Sequence, residues 1–248
     1  LFCRDAKGYV LTEIGTRFLD CAERIEERLS ELEPSALGGQ QKVVGKIRIG
    51  TTEGLGCTFI APNLVELYRR HPDLEVELLA IPGFVDIFKR QADMSITLER
   101  PTYGRLIAEK LTDYHLRLYA RRDYLENHPR ITSTKDLADH CLIGYIKDLV
   151  FSKQLLYLAD VVPAAHPKIT STSIVAQCEL VASGAGLAIL PSIMARREPD
   201  LEVVLPEVVK IKRTFWLVTP SDLCHLPHIR VVRNFLKELV ITNRDLLM

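Results

Sequence analysis

The sequence has no excess of charge of either sign. Its 248 residues include 32 Lys and Arg against 32 Asp and Glu. Nucleic-acid binding is therefore not visible in the bulk charge, and any basic face must be local. Paired cysteines are missing too. Cys3, Cys21, Cys57, Cys141, Cys178 and Cys224 are scattered, with no C-x-x-C. That spacing argues against a disulfide framework or a structural zinc site. Buried, reduced thiols in a cytoplasmic protein are the simpler reading. No apolar run approaches the ~20 residues of a membrane span, and no secretory n-region and h-region precede the fold. A membrane partner is not expected.

Catalytic signatures are equally scarce. There is no G-x-S-x-G and no H-E-x-x-H. "GAGLAIL" contains G-x-G but lacks the third Gly and the downstream acid, and it opens into a strand; its glycines are expected to serve a turn and close packing. Cys224, His225 and His228 cluster in "CHLPH", but Pro227 interrupts them and no fourth ligand is near. Cys141 follows His140, yet neighbours on a helix point different ways. His71 and His115 stand singly. The expectation is no enzyme, no metal and no cofactor.

What is present begins with an ordinary globular composition, 47% hydrophobic and 26% charged, in a chain long enough for one large domain or two small ones. After Thr12, a plausible N-cap, apolar residues fall at Ile14, Phe18, Ala22, Ile25, Leu29 and Leu32. This near-heptad stripe predicts a helix, favoured as a dimerising one. Glu13–Arg17 and Asp20–Arg24 are supporting i,i+4 pairs. Pro34, Gly38 and Gly39 end it, and 34–45 reads as a linker.

From Lys46 on, strand and helix alternate. "KIRIG", "DLEVELLA" and "DMSITLE" read as strands; "TFIAPNLVELYRRH" and "GFVDIFKRQ" read as helices. "HLRLYA", "RDYLENH" and "STKDLADHCLIGY" continue as strand, short helix, and helix followed by strand. A helix over Ser171–Ser183, strands at "LAILP" and "TFWLVTP", and a closing amphipathic helix on Ile229, Val232, Phe235, Leu236 and Leu239 complete the chain. The alternation implies a mainly parallel sheet covered on both faces.

Two hydroxyl-rich segments stand out. Thr51 and Thr52 follow the first strand, where open α/β sheets bind ligands. Thr170, Ser171, Thr172 and Ser173 precede the helix of the second half. Free N–H groups and the positive helix end favour an anion there, although Ser and Thr also serve as plain N-caps. Glu99 and Arg100 follow the third strand and are expected at the same mouth, with Pro101 stiffening the loop.

The opening "LFCRDAKGYVLTEIGTRFL" resembles the junction in LysR-type transcriptional regulators, with Leu1, Phe2, Arg4, Gly8, Leu11, Thr12 and Gly15 at matching positions. "GKIRIGTT", "RRHPDLEVEL", "ADMSITLERPTYGRLIAEKLTDYHLRLYA", "ASGAGLAILP" and "FWLV" agree in order and spacing. The resemblance implies a type 2 periplasmic-binding-protein-like α/β fold of two Rossmann-like subdomains, preceded by a dimerisation helix. It divides the chain into a wing remnant of a winged helix-turn-helix (1–13), linker helix and hinge (14–45) and effector-binding domain (46–248). Subdomain I would be about 46–113 plus 222–248, and subdomain II about 114–221. Effector-contacting positions would be Thr51, Thr52, Thr97, Glu99, Arg100, Gly144, Thr170, Ser171, Thr172 and Ser173. Arg4 and Lys7 would touch DNA phosphate without reading sequence. The implied protein is cytoplasmic, forms a homodimer or homotetramer, binds DNA when its recognition helix is included, and answers a carboxylate or other anionic effector. The alternatives are a solute-binding protein for transport and an enzyme on the same scaffold. An upstream helix-turn-helix or signal peptide would separate the first two.

Overall fold

A computed structural model describes residues 1–5, 8–12, 14–15, 17–19, 21–22, 25, 43–83, 91–102, 104–162 and 166–248. The side chains of 4, 5 and 8–11 are not described. Strands β1 (Phe2–Asp5) and β2 (Gly8–Leu11) pair antiparallel, Phe2 opposite Leu11. Thr12 Oγ1 then accepts the Gly15 N–H at 3.0 Å, the bond of an N-cap at a helix start. Residues 14, 15, 17–19, 21, 22 and 25 are helical. Leu29, Leu32 and the linker up to residue 42 lie outside the described residues.

The main sheet grows from β3 (Gly45–Thr52), where Ile47 and Ile49 are fully buried. It runs parallel to β4 (Leu74–Ile81) and β5 (Met94–Thr97). β3 passes directly into helix: α1 (Glu53–Leu55), a π-helical turn (Gly56–Ile60), then α2 (Ala61–Arg70). The helix expected at "GFVDIFKRQ" falls on 84–90, outside the described residues.

The chain leaves this first lobe along β6 (Leu106–Arg121), passes through α3 (Arg122–Asn127), and returns along β11 (Lys210–Pro220). Between them lie β7 (Leu142–Tyr145), α4 (Tyr157–Val161), β8 (Ile169–Ser171), α5 (Ile174–Ala182), β9 (Leu187–Pro191), α6 (Ser192–Ala195) and β10 (Leu201–Val204). β7 is parallel to β8 and β9, forming a second parallel unit. The strand order is β4-β3-β5-β11-β6-β9-β7-β8, with β10 beside β6. Closing helix α7 (Pro227–Thr242) starts with Pro at its first turn and buries Ile229, Val232, Phe235, Leu236, Leu239 and Val240. Short α8 (Arg244–Leu247) follows. Glu109 on β6 holds α7 through Arg233, at 2.5 and 3.1 Å, and Lys237.

Three details differ from the sequence reading. The sheet is mixed, because the two long joining strands β6 and β11 run antiparallel to each other and to their neighbours β5, β9 and β10. Periodicity reports that a strand is buried, not which way its partner runs. "STKDLADH" makes only a 3-10 turn at Asp136–Asp139, tied by Asp136 to Thr132 and Ser133. Ser171 belongs to β8, and the following helix starts after Ser173.

The β6–β11 ladder carries a register shift at Phe215/Trp216. Such a bulge bends the strand and increases its twist. Beside it, Asp113 accepts Lys212 at 2.7 Å, Lys110 at 2.9 Å and the Thr214 hydroxyl at 2.7 Å. Burial alone would raise its pKa, but these donors outweigh it and hold the carboxyl well below its ordinary value of 3.8. A depressed folded pKa stabilises above the unfolded value and loses that contribution as pH falls below it. Asp113→Asn should therefore be less stable than wild type at pH 7, and the two urea midpoints should converge on acidification below pH 3.8. Parallel pH curves would exclude this role.

Candidate functional site

The carboxyl ends of parallel strands β3 and β5 open at the mouth between the two lobes. A cavity of about 140 Å³ sits there. Its walls include Thr51, Thr52, Ser95, Thr97, Glu99, Phe151 and Ser152. A second, narrower cavity of about 40 Å³ shares Thr52, Leu98 and Phe151 with the first. It continues between the lobes past Glu53, Tyr114, Tyr145, Tyr157, Thr172 and Phe215. Both are largely apolar with a few polar groups, the usual make-up of a small-molecule site.

Two carboxylates cross the mouth. Glu53, the first residue of α1, reaches the start of α5: Oε1 accepts the Ser173 hydroxyl at 3.0 Å and Oε2 the Ile174 N–H at 3.1 Å. Ser173 Oγ in turn accepts the Ala176 N–H at 3.0 Å, so Ser173 is the N-cap and Glu53 a second cap supplied by the other lobe. A carboxylate at this helix end gains from the free N–H groups and the positive dipole. Gly54 allows the approach, since a Cβ there would meet Met194 Sδ at 2.8 Å and Ile174 Cγ2 at 3.0 Å. The second carboxylate, Glu99, accepts the Ser152 hydroxyl at 2.5 Å. Ser152 Oγ also accepts the Gln154 N–H. The Thr97 hydroxyl donates to the Glu99 carbonyl at 2.7 Å and fixes that loop.

Ser95 is 1% exposed, and its Oγ has no hydrogen-bond partner among the described residues. A buried hydroxyl in that state costs about 1–3 kcal/mol. Burial pushes the phenols of Tyr114, Tyr145 and Tyr157 up, so all three remain neutral hydroxyls.

Thr51, Thr52, Thr97 and Glu99 come together in the first cavity, and Thr172 lines the second. Ser171 Oγ accepts the Ser173 N–H within the local turn. Arg100 turns away: its guanidinium carbon stacks over Trp216, 5.4 Å from the ring centroid. Gly144 and Thr170 line a third cavity of about 430 Å³ beside α4, which shares Tyr145, Leu155 and Tyr157 with the second and also includes Lys147 and His166. Glu53, Ser95, Phe151, Ser152, Tyr114 and Tyr157 were not anticipated, whereas Tyr145 falls beside the expected Gly144. Glu53 had one usable signal, its place directly after the Thr51-Thr52 pair. Lys7 and the Arg4 side chain lie outside the description. On the N-terminal helix, Ile14, Phe18 and Ile25 are 71, 63 and 56% exposed, and Ala22 is exposed.

Comparison with known proteins agrees with the fold. The LysR substrate binding domain family matches residues 40–240. The HTH-type transcriptional activator TtdR of Escherichia coli (strain K12) is 29% identical over 245 residues, covering 95% of this chain and 78% of that protein. The HTH-type transcriptional regulator CrgA of Neisseria meningitidis serogroup C (strain 8013) is 25% identical over 243 residues, covering 96% and 81%. A solved structure of CrgA superposes with a TM-score of 0.70 at 24% identity, covering 96% of this chain and 83% of that one. The full-length Vibrio cholerae virulence activator AphB gives 0.65 at 22% identity, covering 95% and 82%. These two likenesses establish the shared fold. With the family match spanning most of its length, the chain belongs to the LysR-type transcriptional regulators and carries their substrate binding domain at residues 40–240.

Proposed function

We propose that this regulator senses a small molecule held between the two lobes, at Thr51, Thr52, Ser95, Thr97, Glu99 and Ser152. The observation that carries the proposal is Ser95: a fully buried hydroxyl without a partner among the described residues, on the wall of the inter-lobe cavity. Folding alone does not account for a hydroxyl placed there, whereas a ligand would complete it. The subdomain limits read from the sequence, near 113/114 and 221/222, are kept as part of the proposal. They are supported by the two long strands β6 and β11 as the joint, with the bulge at Phe215/Trp216 as the point of bending.

The output is a change of lobe arrangement. A ligand switches the protein only if it binds one arrangement more tightly, by about 10⁴-fold to carry it from almost none to almost all. Glu53–Ser173 and Glu99–Ser152 are the contacts such a change would break or keep. The exposed stripe of Ile14, Phe18, Ala22 and Ile25 then fits burial against a second copy, giving a homodimer or a larger homo-oligomer. DNA contact, a cytoplasmic location and the absence of catalysis complete the reading. Among the described residues, no helix is long and apolar enough to cross a membrane.

The test compares stability with ligand response. Ser95→Ala should leave the free protein as stable or more stable, by up to about 1 kcal/mol, because it removes an unpaired hydroxyl. The same substitution should reduce the thermal shift caused by any cleft ligand, and so should Thr51→Val. A ligand whose shift survives both substitutions would place the site elsewhere.

A further inference from the structure

We infer that the inter-lobe site takes a small organic cation, a protonated amine, rather than an anion. This rests on the reading of the cleft as the effector site and specifies its ligand. Among the described residues, the linings of both cavities contain no Lys, Arg or His. Their charged groups are Glu99 in the first and Glu53 in the second.

Three of the donors that could have held an anion are already engaged, although the hydroxyls of Ser95 and Tyr157 keep no partner among the described residues. The start of α5 is capped by Glu53 and by Ser173 itself. Ser152 gives its proton to Glu99, and Thr97 gives its own to a backbone carbonyl. The one cationic side chain expected at the mouth, Arg100, lies against Trp216. An entering carboxylate would therefore meet the partly solvated Glu99 with no basic side chain in either lining to offset it, which disfavours it.

An ammonium group meets the reverse situation. Glu53 has its charge offset by the helix end it caps. Glu99 has no such offset: Oε1 accepts only a neutral hydroxyl, and no cation pairs with the carboxylate among the described residues. Ser95 Oγ, which can donate or accept, offers a further unused oxygen. An ammonium brings three donors and no acceptor, which matches a carboxylate plus hydroxyl oxygens. Ile96, Leu98 and Phe151 supply the apolar wall for its carbon skeleton. The cavity of about 140 Å³ limits that skeleton to a small molecule.

The experiment is a thermal-shift and calorimetric titration of the full chain at pH 7. The probes are butylamine, 1,4-diaminobutane and benzylamine at millimolar concentration, each beside its carboxylate counterpart: butyrate, succinate and benzoate. Wild type, Glu99→Gln and Ser95→Ala are compared, after circular dichroism confirms that each is folded. The expected result is a concentration-dependent shift with at least one amine and none with its carboxylate. Glu99→Gln should weaken amine binding by about tenfold or more, and Ser95→Ala should weaken it as well. A carboxylate that binds, loses affinity in Ser95→Ala and gains it in Glu99→Gln would overturn the cation while keeping the cleft. Amine binding unchanged in both variants would overturn the cation and the cleft together. No shift with any of the three amines would overturn the cation alone.

Discussion

Gly186→Ala is expected to lower the free energy of unfolding by about 3–4 kcal/mol, the largest effect of any single methyl group at the described glycines. A Cβ at this position would stand 2.1 Å from the Cys141 carbonyl oxygen and 2.9 Å from the Cys141 Cβ. The obstacle is backbone, so no side-chain rotation relieves it. Gly186 also has φ +157°, a region that side chains rarely adopt. The damage would spread by a specific route. Leu187 N–H donates to the Cys141 carbonyl at 2.9 Å, and the next residues pair β7 with β9, Leu142 opposite Leu187. Parting these strands moves Tyr145 at the end of β7, and with it one wall of the cleft. Urea denaturation checks the size of the effect. A loss under about 1 kcal/mol would mean that the strands separate more easily than this packing allows.

Phe215→Ala should cost a comparable amount, about 3–5 kcal/mol, and should blunt the ligand response as well. Phe215 is 4% exposed, and its ring stacks on Tyr114 at 4.0 Å between centroids with planes 13° apart. One ring is on β11 and the other on β6, next to the bulge. The pair thus packs the joint between the lobes and lines the inner cavity at once. Phe215→Leu keeps most of the volume and should cost under about 1.5 kcal/mol. If the alanine variant is destabilised but responds to ligand with unchanged affinity and lobe closure, the joint does not act through this contact.

Much of the fold was legible because burial leaves a periodic mark. Ile47 and Ile49 alternate as a strand must, and both are fully buried in β3. Ile229, Val232, Phe235, Leu236 and Leu239 recur at helical spacing, and all are buried in α7. The glycines of "GAGLAIL" were read as a turn and close packing, and both show: Gly184 has φ +79° and Gly186 touches the Cys141 backbone. Strand direction left no such mark, so the antiparallel crossing of β6 and β11 appeared only in the structure.

The site was legible on one side. Thr51 and Thr52 stand out because a strand ending in hydroxyls must deliver them to the sheet's mouth. Their partners across the cleft are far away in the chain. Glu53 meets Ser173 across 120 residues, and Glu99 meets Ser152 across 53. Nothing local in "LVFSKQLL" marks Ser152 as a cleft residue. The same distance hides the second cap of α5: free helix N–H groups there are visible in a sequence, whereas the carboxylate that reaches them from Glu53 is not.

The central claim is that a ligand sits between the lobes and is touched by both. Hydrogen–deuterium exchange with and without the tightest-binding probe tests it most directly, because backbone amides report each wall separately. The account predicts slowed exchange in 51–55 and 95–99 on one lobe and in 151–155 and 173–176 on the other, all in the same titration. Protection confined to one lobe, or to the 430 Å³ cavity beside α4, would contradict it.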